Sequence, residues 1–218
     1  METPYSKLSG SWNFGMRMSG LERGITRFIK RLPFSLPPFP EILEIGCGTG
    51  IVSFALLERF PNAHIVATDI DPKMLLVASK RAYKSRIPPE RLEFGEADAN
   101  NPEEITFLDK EVSTREKPGS FHCIAASGVL EHIDLELALP VVFRLLKPGG
   151  YFVMVNMNDN WCGKIYGMLY GFSVMSPERL SGMLKINGFE NIETLPLVWS
   201  EFPANITRKG VIAQKRRA

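Results

Sequence analysis

The sequence predicts an α/β fold: an open, doubly wound sheet of seven strands, mostly parallel, with an antiparallel pair at its C-terminal edge. Three observations carry this. Short β-branched runs alternate with helical apolar patterns between residues 41 and 157. Strands alternating with helices imply parallel pairing and right-handed crossovers, with helices on both faces. The last quarter then holds two strand-like runs joined by a short proline-containing loop, and short connections join antiparallel neighbours.

In chain order, EILEIG at 41–46 is a buried strand, and TGIVSFALLERF at 49–60 carries apolar residues at helical spacing. AHIVATDI at 63–70 is the second strand. PKMLLVASKRAYKS at 72–85 is a helix with Pro72 in its first turn, where a missing N–H loses no bond. RLEFGEA at 91–97 and FHCIAASG at 121–128 are the third and fourth strands. DLELALPVVFRLLK at 134–147 is helical, with Pro140 expected to kink or delay it. PGGYFVMVNM at 148–157 turns through glycines into a fifth strand. SPERLSGMLKINGF at 176–189 has Ser176 as a cap and Gly188 as a stop. ENIETLPLVWS at 190–200 and RKGVIAQKR at 208–216 close the sheet.

Two segments fall outside this alternation. Residues 1–38 hold a helix, LERGITRFIKRL at 21–32, followed by a stiff proline-rich stretch. Residues 157–175 form a connection that is long and aromatic-rich for an α/β loop, which marks it as functional. The chain therefore reads as one domain over 1–218, with 1–38 as an N-terminal cap and 157–175 as a lid insert.

Composition is that of an ordinary globular protein: 218 residues, 44% hydrophobic, 23% charged, with a net charge of +2. No apolar run approaches the ~18–20 residues that span a bilayer. The first residues lack a basic region followed by an apolar one, so no signal peptide is expected and a cytoplasmic location is. Cys47, Cys123 and Cys162 are odd in number and widely spaced, which argues for reduced thiols rather than a disulfide framework. No CxxC pair or histidine cluster supports a metal site, and none is expected.

The most informative stretch is EILEIGCGTG at 41–50, where Gly46, Gly48 and Gly50 follow a strand directly. Glycine is entropically costly to order, so this backbone must turn tightly or approach something closely. In an open α/β sheet, ligands bind beyond the carboxyl ends of the strands. A dinucleotide fingerprint requires G-x-G-x-x-G, but Ile51 stands where the third glycine should be. A phosphate-binding P-loop requires a Lys–Ser/Thr pair that Thr49-Gly50-Ile51 does not supply.

LEIGCGTG at 43–50 resembles the first motif of class I S-adenosylmethionine-dependent methyltransferases, and the chain as a whole resembles their small-molecule branch. VATDIDPKML at 66–75, GEADAN at 95–100, FHCIAASGVLEHI at 121–133 and LKPGGYFVMV at 146–155 resemble the family's later motifs in the expected order. The resemblance implies a Rossmann-like sheet, S-adenosyl-L-methionine as cofactor and S-adenosyl-L-homocysteine as product. It places Gly46, Cys47 and Gly48 against the methionine and ribose, and Glu44 near the methionine amino group. It gives Asp69 both ribose hydroxyls, because an ionised carboxylate offers two acceptor oxygens to adjacent donors. Ile70 would pack on the adenine face, Asp98 would accept from the adenine amino group, and the Ala99 N–H would meet a ring nitrogen. The Ser127 carbonyl would receive the methionine ammonium. Each of these has a structural alternative: a tight turn for the glycines, backbone satisfaction for Glu44, and a helix cap for Asp69 and above all Asp71.

The sulfonium methyl is already activated, so the protein must chiefly align nucleophile, carbon and sulfur, which can supply ~7–11 kcal/mol. A general base is needed only for a protonated acceptor, and its candidates are Glu131 and His132, with a gating or structural part as the alternative for His132. The acceptor is expected to be a small molecule, methylated on oxygen, hydrophobic or carrier-bound. Trp161, Tyr166 and Tyr170 of the insert would face it, helped by Trp12 and Phe14. Nucleic acid is not expected, because SGVL at 127–130 stands where base amino-methylating members carry an Asn-Pro-Pro-Tyr type tetrad. The alternatives are a protein or acyl-carrier-protein methyltransferase and a non-catalytic partner subunit of this fold.

Overall fold

The computed structural model describes residues 20–108 and 113–217. Trp12 and Phe14 lie outside the described residues. The strands are β1 (Glu41–Ile45), β2 (His64–Asp69), β3 (Leu92–Glu96), β4 (Glu104–Phe107), β5 (Ser113–Arg115), β6 (Phe121–Ser127), β7 (Leu146–Met157), β8 (Phe189–Pro196) and β9 (Arg208–Lys215). The helices are α1 (Leu21–Lys30), α2 (Ile51–Arg59), α3 (Pro72–Lys84), α4 (Leu135–Leu145), α5 (Trp161–Tyr170), α6 (Pro177–Ile186) and α7 (Ala204–Thr207).

One sheet runs in the order β5-β4-β3-β2-β1-β6-β7-β9-β8. The pairs β3–β2, β2–β1, β1–β6 and β6–β7 are parallel. The order reverses at β1, whose two neighbours β2 and β6 are both parallel to it, and this opens a crevice at its carboxyl end. The two C-terminal strands pair antiparallel, and the final strand, β9, slots between β7 and β8 rather than taking the edge.

Successive side chains on a strand point to opposite faces, and the core divides accordingly. Ile42 of β1 joins Phe28, Leu56, Leu75 and Val153 on the face covered by α1, α2 and α3. Leu43 joins Ile124, Leu139, Phe152 and Leu184 on the face covered by α4 and α6. Pro140 does not delay its helix, which runs Leu135–Leu145 with Asp134 capping it through the Glu136 N–H.

Among the described residues nine strands stand where seven were expected, because β4 and β5 extend the β3 edge. Four residues and three residues are too short to show a period, and all of β5 is exposed, so no apolar pattern announces it. Tertiary contacts hold this edge instead. Thr106 and Ser113 hydroxyls pair at 2.8 Å, and Glu103, 3% exposed, bridges Arg115 on β5 and Arg144 on α4. Burial alone would raise the Glu103 pKa, but the two guanidiniums overcome it and hold the carboxyl below its usual range. Both arginines keep substantial solvent contact, so losing the acid leaves them hydrated. Glu103→Ala is therefore expected to cost about 1–3 kcal/mol in urea unfolding, while cofactor affinity is retained.

Helix α1 is anchored by close packing. A Cβ at Gly210 would stand 2.0 Å from the Phe28 ring, and one at Gly24 would stand 2.3 Å from the Glu201 carbonyl. Arg31 pairs with the buried Glu201 through both carboxylate oxygens, the longer contact being 2.9 Å. Helix α5 lies inside the 157–175 stretch. Its Gly163 lies against the entering chain and its Gly167 against the departing one, since Cβ atoms there would meet the Asn158 and Phe172 carbonyls at 1.9 and 2.5 Å. Trp161, Ile165 and Met168, at i, i+4 and i+7, are exposed on this helix.

Candidate functional site

The glycine turn after β1 is built by its own backbone. The Cys47 N–H donates to the Thr68 carbonyl at 2.8 Å, and the Gly50 N–H to the Cys47 carbonyl at 2.8 Å. Gly46, Gly48 and Gly50 all have positive φ (68°, 53° and 83°), a region that side chains rarely adopt. At Gly46 a Cβ would also strike Val129 at 2.1 Å, whereas at Gly48 nothing lies within 4 Å. Open space at Gly48 and a bare backbone facing it form a cradle for a ligand.

Asp69 ends β2 beside this cradle. Its Oδ2 accepts from the Gly48 N–H at 2.7 Å and its Oδ1 from the Asp71 N–H at 2.9 Å. A carboxylate has capacity for further donors beyond these. Burial pushes the Asp69 carboxyl upward, opposed by the backbone N–H donors and supported by the nearby charge of Asp71. Asp71 itself caps α3, accepting from the Lys73 N–H at 2.9 Å, as its alternative reading held.

Glu44 is 1% exposed and accepts from the Ser53 hydroxyl. Burial pushes its carboxyl up to about 8; Ser53 opposes the shift and the charge of Asp69 adds to it. Such a carboxyl sits protonated near neutrality and is poised to ionise when a cation arrives. Burial likewise holds the Cys47 thiol far above its ordinary value, which leaves it unreactive.

Glu44, Gly46, Cys47, Gly48 and Ser127 line one cavity together with Ile25 of α1, Thr49 and Met74. Ile70, Ala97 and Asp98 line a second, of about 550 Å³, well within the range of small-molecule sites. Asp69 links them, touching Gly48 of the first and preceding Ile70 of the second. Ile70 is 56% exposed, an apolar surface without a cover among the described residues. Asp98 is exposed, with Oδ1 accepting from the Asn100 backbone N–H at 2.9 Å and its side-chain amide at 3.0 Å. Ala99 is half-buried and packs against the core on the α4 and α6 face.

Of the base candidates, Glu131 binds the Met157 N–H through Oε1 and so ties its turn to β7. His132 stands edge-on to Phe172, ring centroids 5.0 Å apart. Burial lowers its pKa, Arg208 lowers it further and Glu131 opposes them, so the ring is neutral near pH 7 and able to accept a proton. Trp161 is 71% exposed and lines neither cavity; Tyr166 and Tyr170 are on α5. His122 lies at the opposite end of the sheet, with Nδ1 accepting from the Glu41 N–H at 3.0 Å and Nε2 3.1 Å from Lys147.

The sequence reading missed Arg81. From α3 it donates to the Thr49 carbonyl at 2.8 Å, pairs with Glu22 of α1 at 2.6 Å and stacks over Phe54 at 4.8 Å. It clamps the far side of the glycine turn to the N-terminal helix. Thr49 and Arg81 are 32 positions apart, so no local pattern joins them.

A parallel sheet with its switch point at β1, a glycine cradle there and an acid ending β2 define the class I S-adenosylmethionine-dependent methyltransferase architecture. The family model described as a methyltransferase domain matches residues 43–152, half of the chain, and the protein belongs to that family: it is an S-adenosylmethionine-dependent methyltransferase. The chain is 27% identical over 211 residues to the demethylmenaquinone methyltransferase of Thermus thermophilus, covering 96% of this chain and 86% of that one. It is 32% identical over 133 residues to the ubiquinone/menaquinone biosynthesis C-methyltransferase of Bartonella tribocorum, covering 59% of this chain and 46% of that one. The fold matches the crystal structure of geranyl diphosphate C-methyltransferase from Streptomyces coelicolor, solved with S-adenosyl-L-homocysteine. That match has a TM-score of 0.70 at 12% identity, over 89% of this chain and 80% of that one. The chain thus spans most of the Thermus protein but under half of the Bartonella one. Among the described residues, no helix is long and apolar enough to cross a membrane.

Proposed function

We propose that the chain transfers the methyl group of S-adenosylmethionine to a small, largely hydrophobic molecule held beneath the 157–175 segment, with 1–218 acting as one domain. One observation carries this reading: Phe172, in the connection from α5 to α6, stands edge-on to His132, five residues beyond Ser127, which lines the cavity at the glycine turn. The relatives named above, whose names refer to quinones, support a hydrophobic acceptor.

In this reading Asp69 receives the ribose hydroxyls, and Gly46, Cys47 and Gly48 lie against the ribose and methionine. Glu44 and the Ser127 carbonyl take the ammonium, while Ile70 and Asp98 take the adenine. When bound, the cofactor supplies an electrophilic methyl carbon opposite a sulfur leaving group. The protein supplies alignment, exclusion of water by the α5 connection, and His132 as a neutral base near the acceptor. Oxygen is the acceptor atom expected from the sequence. Ring carbon is the second reading, favoured by the relative named as a C-methyltransferase.

The test is incubation with S-adenosylmethionine and reduced demethylmenaquinone, with mass spectrometry of the product and NMR of the methylated position. Gain of one methyl with matching release of S-adenosylhomocysteine is the expected result. Binding of S-adenosylhomocysteine without turnover of any quinol or phenol would overturn the acceptor class.

A further inference from the structure

Asn156 near the end of β7 and Lys209 on β9 are direct partners in the antiparallel register, so their side chains share a face of the sheet. They are 7% and 6% exposed. The Asn156 Oδ1 is fully buried and has no hydrogen-bond partner among the described residues. The same holds for the Glu131 Oε2, whose sister oxygen is fixed by the Met157 N–H. Lys209 reaches the Met175 carbonyl at 3.3 Å, a long contact that leaves it with further N–H groups to donate. Glu131, Asp159 and Glu178 are near enough to favour its charge, against a burial that opposes it.

Buried polar atoms without partners are uncommon and call for an explanation. Here two orphaned acceptor oxygens and one ammonium belong to residues gathered at the end of β7: Lys209 is the register partner of Asn156 and reaches the α5–α6 connection at Met175, and Glu131 is tied to Met157, the next residue. The chemistry selects what fits. A carboxylate ligand would arrive with no proton to donate to the orphaned oxygens, and an ammonium ligand would meet Lys209. A neutral hydroxyl satisfies both, donating to an orphaned oxygen while accepting from the lysine. If it ionises, its proton passing to the neutral His132 ring or to solvent, the ammonium faces the new charge in a dry setting, where such pairing is strong.

We propose that Glu131, Asn156 and Lys209 form a subsite for an ionisable phenolic or enolic hydroxyl of the acceptor, a reading that rests on the methyltransferase function above. The hydroxyl oxygen takes the place of the Met175 carbonyl on Lys209. This fits either acceptor atom, because an ionised phenol is nucleophilic at oxygen and at the adjacent ring carbons.

The experiment titrates 4-nitrophenol into protein saturated with S-adenosylhomocysteine and follows the phenolate absorption band. Wild type is expected to bind it and shift its ionisation toward phenolate. Lys209→Met should abolish the shift and weaken binding by about tenfold or more, with Lys209→Arg retaining part of it. Glu131→Gln, which keeps an acceptor for the Met157 N–H, should strengthen the shift by removing a negative charge. S-adenosylhomocysteine affinity, measured on every variant, reports that the cofactor half is intact. Should Lys209→Met not fold, Lys209→Arg and Glu131→Gln decide. A wild type that binds S-adenosylhomocysteine but leaves nitrophenol ionisation unchanged, or variants that shift it equally, would overturn the subsite and leave the methyltransferase reading standing. A wild type that binds no S-adenosylhomocysteine would overturn both.

Discussion

Asp69→Ala is expected to weaken S-adenosylhomocysteine binding by at least ~10-fold in calorimetric titration. A hydrogen bond to a charged group contributes ~1.5–3 kcal/mol, and tenfold in affinity is ~1.4 kcal/mol. The carboxylate would act twice. In the free protein it already holds the Gly48 and Asp71 N–H groups, at 2.7 and 2.9 Å, and so shapes the cradle. With cofactor bound it would also take the ribose hydroxyls. Asp69→Asn keeps one carbonyl acceptor and should fall between the two. A variant that binds as tightly as wild type would show that Asp69 only organises the turn before α3.

Glu44 provides the second large effect, through pH. Its carboxyl is pushed up to about 8 by burial, with Ser53 opposing and Asp69 adding, against an ordinary value of 4.5. The folded state therefore keeps this proton over a range in which the unfolded chain has lost it. The sign follows: the contribution to stability is fully present below about 4.5 and is lost as pH rises through about 8. The slope can reach about 1.4 kcal/mol per pH unit for one proton. Asp69 is also raised, so it adds to the same trend. Glu44→Gln should flatten the fall in urea-unfolding stability across this window. Cofactor binding should also release a proton from the wild type near neutrality, because a methionine ammonium beside Glu44 favours its ionised form. Calorimetry in two buffers of different ionisation enthalpy reads this directly. An identical heat in both, or a pH profile that Glu44→Gln leaves unchanged, would place the ammonium elsewhere.

Much of the glycine turn and of its acidic neighbours was legible in the sequence because their determinants are local. Three glycines within five residues can be read as positive-φ backbone, and their angles bear this out. Asp71 before Pro72 reads as a cap and is one. The acid ending the second strand is found by counting along a β-branched run. The acceptor side was less legible. Trp161, an aromatic of the insert, faces solvent, while Gly163 and Gly167 pack against the chain that enters and leaves α5. Arg81 and Lys209 look like ordinary surface cations until the fold brings Thr49 to one and Asn156 to the other.

The amino-acid sequence by itself determined the alternation of strands and helices, which face of each is apolar, and the glycine turn with its neighbouring acid. These follow from periodicity and backbone preference, which act within a few residues. Only the tertiary structure decided that β9 inserts between β7 and β8 and that β4 and β5 extend the far edge. It also decided that Ile25 of α1 lines the cavity at the glycine turn and that Glu44 loses its water. Strand order, cross-strand register and desolvation depend on atoms tens to hundreds of residues apart, and no local pattern in the chain encodes them.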